Sequence, residues 1–138
     1  MMDLSKFNLE AYAEKGADME LLDPIENEVL TQDNGDAVTI KLLGTDSKAY
    51  KNKNKSYQRA RIAKMAKSRS KAVDYTVSDK DACDMLAACT VGWSGIVVDK
   101  EVIEFSEGAA QDLYMNYDWI REQVDAFVGD RANFFPSA

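Results

Sequence analysis

The sequence predicts an α+β fold, with a small antiparallel β unit over residues 1–44 and a mainly helical part over residues 45–138 that carries a short hairpin near 96–105, the whole forming one compact domain. Three observations lead there. β-branched runs broken by turn residues gather in the first third, apolar residues at helical spacing dominate the last half, and one valine-rich stretch between them is split by two polar residues. A chain of 138 residues with 46% hydrophobic content is large enough to bury one core.

In the β unit, Leu4, Phe7, Leu9 and Tyr12 stand in rough apolar and polar alternation up to Gly16. Met19 to Pro24 reads as a short strand stopped by the proline. Asp33-Asn34-Gly35-Asp36 is a turn, because Asn and Gly accept positive φ. Ala37 to Leu43 then has the branched character of a strand, closing at Gly44.

Asp46 or Ser47 is placed to cap a long helix running to about Arg69, with Ala49, Tyr50, Ser56, Tyr57, Ala60 and Ala63 on one side. Ser78 with Asp81 has capping-box spacing and opens a helix through Val91, with Gly92 as its stop. Ile96-Val97-Val98 and Glu101 to Phe105 flank Asp99-Lys100 as a hairpin. Ser106 caps the next helix, where Ala110, Leu113, Tyr114 and Tyr117 fall on one face. A last helix aligns Ile120, Val124, Phe127 and Val128 and ends at Gly129.

The chemistry that is missing narrows the function. With no histidine, the commonest general base and metal ligand is gone. Gly92-Trp93-Ser94-Gly95 is one residue short of a nucleophile elbow and has no histidine to activate Ser94. Cys83 and Cys89, six apart on a helix, point about 120° away from each other, so buried free thiols are expected rather than a metal pair. The acidic turn at 33–36 lacks the loop length of a calcium hand, and no glycine-rich phosphate loop is present. No enzymatic activity, cofactor or metal is expected. The polar N-terminal stretch Met1 to Lys6 lacks an apolar signal core, and no run suits a membrane span, so a cytoplasmic location is expected.

Charge is segmented. The net charge is −7, yet Lys48 to Lys71 holds ten Lys and Arg and no Asp or Glu, while the segments before Asp36 and after Val98 are acidic. Tyr50 and Tyr57 interleave with the cations, as in nucleic-acid grooves. No nucleic-acid motif accompanies them, and acidic flanks would repel phosphate, so Lys51, Lys55, Arg59 and Lys64 are expected to meet protein. Trp93 and Trp119 are expected to be structural. Phe134 and Phe135, adjacent near the C-terminus, are candidates to dock on a neighbour or back on this domain.

Residues 75–135 resemble the tail assembly chaperones of long-tailed bacteriophages. The likeness runs from Thr90-Val91-Gly92-Trp93-Ser94-Gly95-Ile96 through the hairpin to Phe105-Ser106, then on to Asp118-Trp119-Ile120-Arg121-Glu122-Gln123-Val124 and Asn133-Phe134. Asp99-Lys100 departs from the Asp-Gly turn expected in close relatives, which puts a tight hairpin in question. The resemblance implies a chaperone in the host bacterial cytoplasm that binds the tape measure protein, helps recruit tail tube protein, and is absent from the mature virion; the alternating acidic and basic segments would also favour self-association into a homo-oligomer. Two other readings stay open: a structural tail protein retained in the particle, and a nucleic-acid-binding regulator using residues 48–71.

Overall fold

A computed structural model describes residues 4–67 and 79–135. The fold is α+β. Its first elements are a 3-10 turn, Leu4–Phe7, and helix α1, Leu9–Lys15. The alternation noted in this stretch therefore does not make a strand. Asn8 accepts a hydrogen bond from the Ala11 amide at 3.2 Å, which supplies the helix start that the apolar pattern alone did not announce. Buried Ala13 then lies four residues after Leu9, on the same helical side.

Strand β1 (Ala17–Glu20) pairs antiparallel with β2 (Thr39–Leu42), setting Met19 opposite Ile40. Between them the chain continues as a narrow ribbon held by bridges Leu22 to Val29 and Thr31 to Ala37. Asp23 turns one end of the ribbon by accepting from the Ile25 and Glu26 amides at 2.8 and 3.1 Å. The expected turn at 33–36 closes the other end, with Gly35 at φ +90°. The proline-stopped strand is thus shorter than the run Met19 to Pro24, and the turn lies where the sequence placed it.

The sheet takes its third strand from much later in the chain. β3 (Thr90–Ser94) pairs antiparallel with β2, giving the order β1-β2-β3. The helix expected to reach Val91 stops at Ala88, and Gly92 sits inside the strand opposite Lys41 rather than ending the helix. The free edge of β2 supplies backbone partners for this segment, and β-branched Thr90 and Val91 favour the extended form. A ladder irregularity between Lys41 and Leu42 accommodates the change of direction.

Helix α2 (Lys48–Lys67) opens on buried Ser47, whose hydroxyl accepts from the Tyr50 amide at 3.3 Å. Helix α3 (Asp79–Ala88) follows; Ser78, the expected cap, lies outside the described residues, as does the expected end of α2 at Arg69. The hairpin forms from β4 (Val97–Val98) and β5 (Glu101–Val102), with Asp99 and Lys100 at φ 50° and 68°. Two left-handed residues give the turn whose twist matches a hairpin, so the tight geometry is reached without glycine. Ser106 caps α4 (Glu107–Asn116) by accepting from the Ala109 amide at 3.0 Å, and α5 (Asp118–Gly129) ends in a 3-10 turn, Arg131–Asn133.

The core lies between the sheet and helices α3, α4 and α5. Ile40, Leu42, Cys83, Tyr114, Val124 and Val128 are its most enclosed members. Both cysteines are free and buried. One polar knot is admitted. The Thr90 hydroxyl donates to the Leu86 carbonyl at 2.8 Å, which leaves its lone pairs to accept the Tyr114 hydroxyl at 2.7 Å. Among the described residues no buried side-chain nitrogen or oxygen lacks a partner, as a native core requires.

Candidate functional site: an apolar trough and a basic helix

The hairpin does not lie flat on the core. Ile96 and Ile103 anchor its base, with the Ile103 amide donating to the Ile96 carbonyl at 2.9 Å. The Trp93 indole N–H donates to the Ile103 carbonyl at 2.8 Å, and its ring meets Phe105 edge-on at 5.2 Å. Trp93 is thus a strut between β3 and the outgoing arm of the hairpin. Beyond this base the arms stand out, and the cross-strand pair Val97 and Val102 is 54% and 74% exposed.

Two open cavities meet below the arms. One, of about 310 Å³, is walled by Leu21, Leu30, Val38, Val98, Leu113 and Trp119, among others. The second, of about 510 Å³, is lined by Thr31 to Asn34, Val97 and Val102. Thr31, Gly95 and Val97 line both, so the two adjoin and together make up a trough. At Gly95 the chain packs closely against the ribbon turn. This glycine holds φ +86°, and a Cβ there would come within 2.5 Å of the Gln32 side chain. Gln32 in turn donates to the Ala37 carbonyl at 3.2 Å and to the Ser94 hydroxyl at 3.0 Å, tying the ribbon turn to the root of the hairpin.

Gln123 fastens α5 to the ribbon. Its amide accepts from the Leu22 N–H and donates to the Leu22 carbonyl, both at 2.9 Å. One side-chain amide thereby takes the place of a neighbouring strand along this edge. Trp119, one turn earlier on the same helix, is half-buried and forms part of the trough wall.

The basic helix is a separate feature. No described side chain of α2 is fully buried. Its first turn contains no carboxylate, although the positive end of a helix favours one. Helix α1 supplies the missing charge: the Glu14 carboxylate accepts from the Lys48 amide, and Glu10 lies 3.9 Å from Lys51. Of the expected contact residues, Lys51 is thus engaged within the chain. Lys55 and Arg59 are exposed, and the side chain of Lys64 lies outside the described residues.

Phe134 and Phe135 fold back. Phe134 meets Phe127 edge-on at 5.5 Å, while Phe135 stacks on Phe7 at 6.0 Å and meets Tyr12 at 5.1 Å. Arg131 adds a two-pronged contact to Asp46 at 2.8 and 2.9 Å, which raises the guanidinium pKa further through the hydrogen bonds and the carboxylate charge. Neither the aromatic pair nor a described residue of α2 lines the trough.

The thiol and phenol most strongly shifted, Cys89 and Tyr114, lie in the core rather than in the trough. Burial pushes the Cys89 thiol up to about 12 and raises Tyr114 further above its ordinary range. Such groups stay protonated and inert near neutrality. Among the described residues no cluster of Cys, Asp or Glu is arranged to hold a metal ion, and no helix is long and apolar enough to cross a membrane. No family model, curated protein or solved structure matches the chain.

The sequence carries little sign of the trough. The signal available was the pair Val97 and Val102, placed opposite each other across a two-residue turn on the face away from Ile96 and Ile103. A hairpin only two residues long per arm cannot bury both of its faces.

Proposed function

We propose that this chain is a non-enzymatic chaperone of phage tail assembly that binds an apolar helical stripe of the tape measure protein and helps bring tail tube protein to it. The observation that carries the reading is the trough, whose apolar part is walled by Leu21, Leu30, Val38, Leu113 and Trp119 beside exposed Val97 and Val102. A long helical client exposes apolar stripes until a tube covers them, and a groove of this kind shields such a stripe reversibly. The charge layout suits a reversible complex as well. Outside residues 48–71 the chain holds 24 Asp and Glu against seven Lys and Arg, while inside there are ten cations and no acid. Exposed pairs between such surfaces contribute at most about 1 kcal/mol each and weaken with salt.

The test is co-expression with a phage tape measure protein. The chaperone reading expects more soluble client and joint elution of the two chains. Client that stays insoluble, or elutes alone, rejects it. Stoichiometric recovery of the chain from purified virions supports a structural tail protein instead.

Exposed Lys55 and Arg59 on a helix without carboxylates favour one further reading, a nucleic-acid-binding regulator. Gel-shift titration with duplex DNA decides it. Micromolar binding at physiological salt, lost on reversing Lys55, Arg59 and Lys64 to Glu, establishes that reading over the protein partner.

A further inference from the structure

We infer that the trough selects a cationic amphipathic helix: a client stripe of apolar residues flanked by Lys and Arg. This rests on the client-binding reading above and specifies the chemistry of the partner. The trough floor is apolar, formed by Leu21, Leu30, Val38 and Leu113 with Trp119 at the side. Its rim is acidic. Asp33 lines the mouth, and Asp99, Glu101 and Glu104 are exposed along the hairpin and its exit. Against them the stretch from Val97 to Phe105 carries a single cation, Lys100.

An apolar face seated on the floor brings its flanking residues to the height of the rim. Cations there meet carboxylates at short range, while carboxylates on the client meet like charge. The same rim disfavours nucleic acid, whose phosphates it repels.

The partner's backbone shape follows from the hairpin's size. A peptide added as a strand needs a run of free backbone donors and acceptors along an edge. β4 and β5 are two residues each and spend their inner groups on one another. Recognition therefore falls to side chains in a groove, which is how an amphipathic helix presents anchors at i, i+3, i+4 and i+7.

Two synthetic helical peptides of about 18 residues test this, sharing one leucine face and flanked either by lysines or by glutamates. Fluorescence anisotropy with the full chain should give at least about tenfold tighter binding of the lysine peptide at physiological salt, with the gap narrowing as salt rises. Val97→Ser with Val102→Ser, both at exposed positions, should weaken binding while leaving the thermal melt in place. Glu101→Lys with Glu104→Lys should shrink the gap between the peptides.

Equal affinity for the two peptides overturns the charge selection yet leaves the client-binding reading to its own co-expression test. Failure of both peptides to bind overturns the docking site itself. Preference for the glutamate peptide, or binding unaffected by the valine variant, places recognition elsewhere, with helix α2 the alternative surface. Competition between the lysine peptide and self-association, with both lost in the valine variant, makes a second copy the occupant and overturns the assignment to a client.

Discussion

Helices α2 and α5 lie in one small domain and obey opposite rules. α2 is the longer, at 20 residues, yet it buries none of its described side chains. α5 has 12 residues and seats Ile120, Val124 and Val128 in the core while Gln123 grips the ribbon. Length contributes little to anchoring; apolar spacing at i, i+4 and i+8 contributes most of it. What α2 gives up in burial it keeps as accessible charge, and it borrows its N-terminal carboxylate from α1. The molecule is thus divided between a helix that holds the fold and one that offers a surface.

Four experiments break or sharpen that division, beginning with the largest effect. Val124→Ala empties space in a fully enclosed part of α5 and should cost about 2–3 kcal/mol, from the lost methyl burial and the cavity left behind. Urea unfolding should show a lower midpoint with unchanged slope. A midpoint equal to that of the parent would mean that α5 is not the anchor.

Alkali should attack the anchored body next. Cys89 is held protonated up to about 12 when folded, whereas an exposed thiol ionises near 8.5. The unfolded chain therefore releases its proton first, and the stabilisation, complete below the unfolded value, drains away as pH rises towards 12. Tyr114, also raised, acts in the same direction. Melting temperature should fall steadily above about pH 9, and Cys89→Ala should flatten part of that slope. Identical slopes in parent and variant would exclude the thiol.

Glu14→Ala should have a smaller effect, on the order of 0.5–1 kcal/mol, by removing the carboxylate at the start of α2. Loss of helicity by circular dichroism should be confined to α2, and a weaker effect in high salt would identify the helix-end charge as its source. Last, Lys55→Glu with Arg59→Glu should leave stability within about 0.5 kcal/mol, since both side chains face water. A large drop in the melting temperature would show that α2 is an anchor after all.

How far the sequence reaches depends on how local the cause is. Ser47 and Ser106 cap α2 and α4 as read, because a cap is settled within three residues. The inward faces of α4 and α5 follow from spacing, and Ala110, Leu113, Tyr114, Ile120, Val124 and Val128 are buried accordingly. The misreadings are of another kind. Gly92 resembles a helix stop, but its neighbours Thr90, Trp93 and Ser94 have partners on β2, some fifty residues earlier in the chain, and pairing at that distance leaves no local mark. Asn8 caps α1 beside an alternation that suits a strand as well as a helix, so the local pattern does not decide between them. The trough was hidden for the same reason as β3: it exists only once the ribbon, the hairpin and α5 are brought together by contacts such as Gln32 to Ser94 and Gln123 to Leu22.

The aromatic clasp of Phe7, Tyr12 and Phe135 has a topological consequence. Residues near the beginning and near the end of the described chain touch, with the Phe7 and Phe135 rings stacked. The order of elements along the chain is then almost independent of their order in space. A circular permutant, with a short linker joining the two clasped segments and new ends opened at exposed Asn34 and Gly35, would keep every helix, both sheets and the trough floor in register.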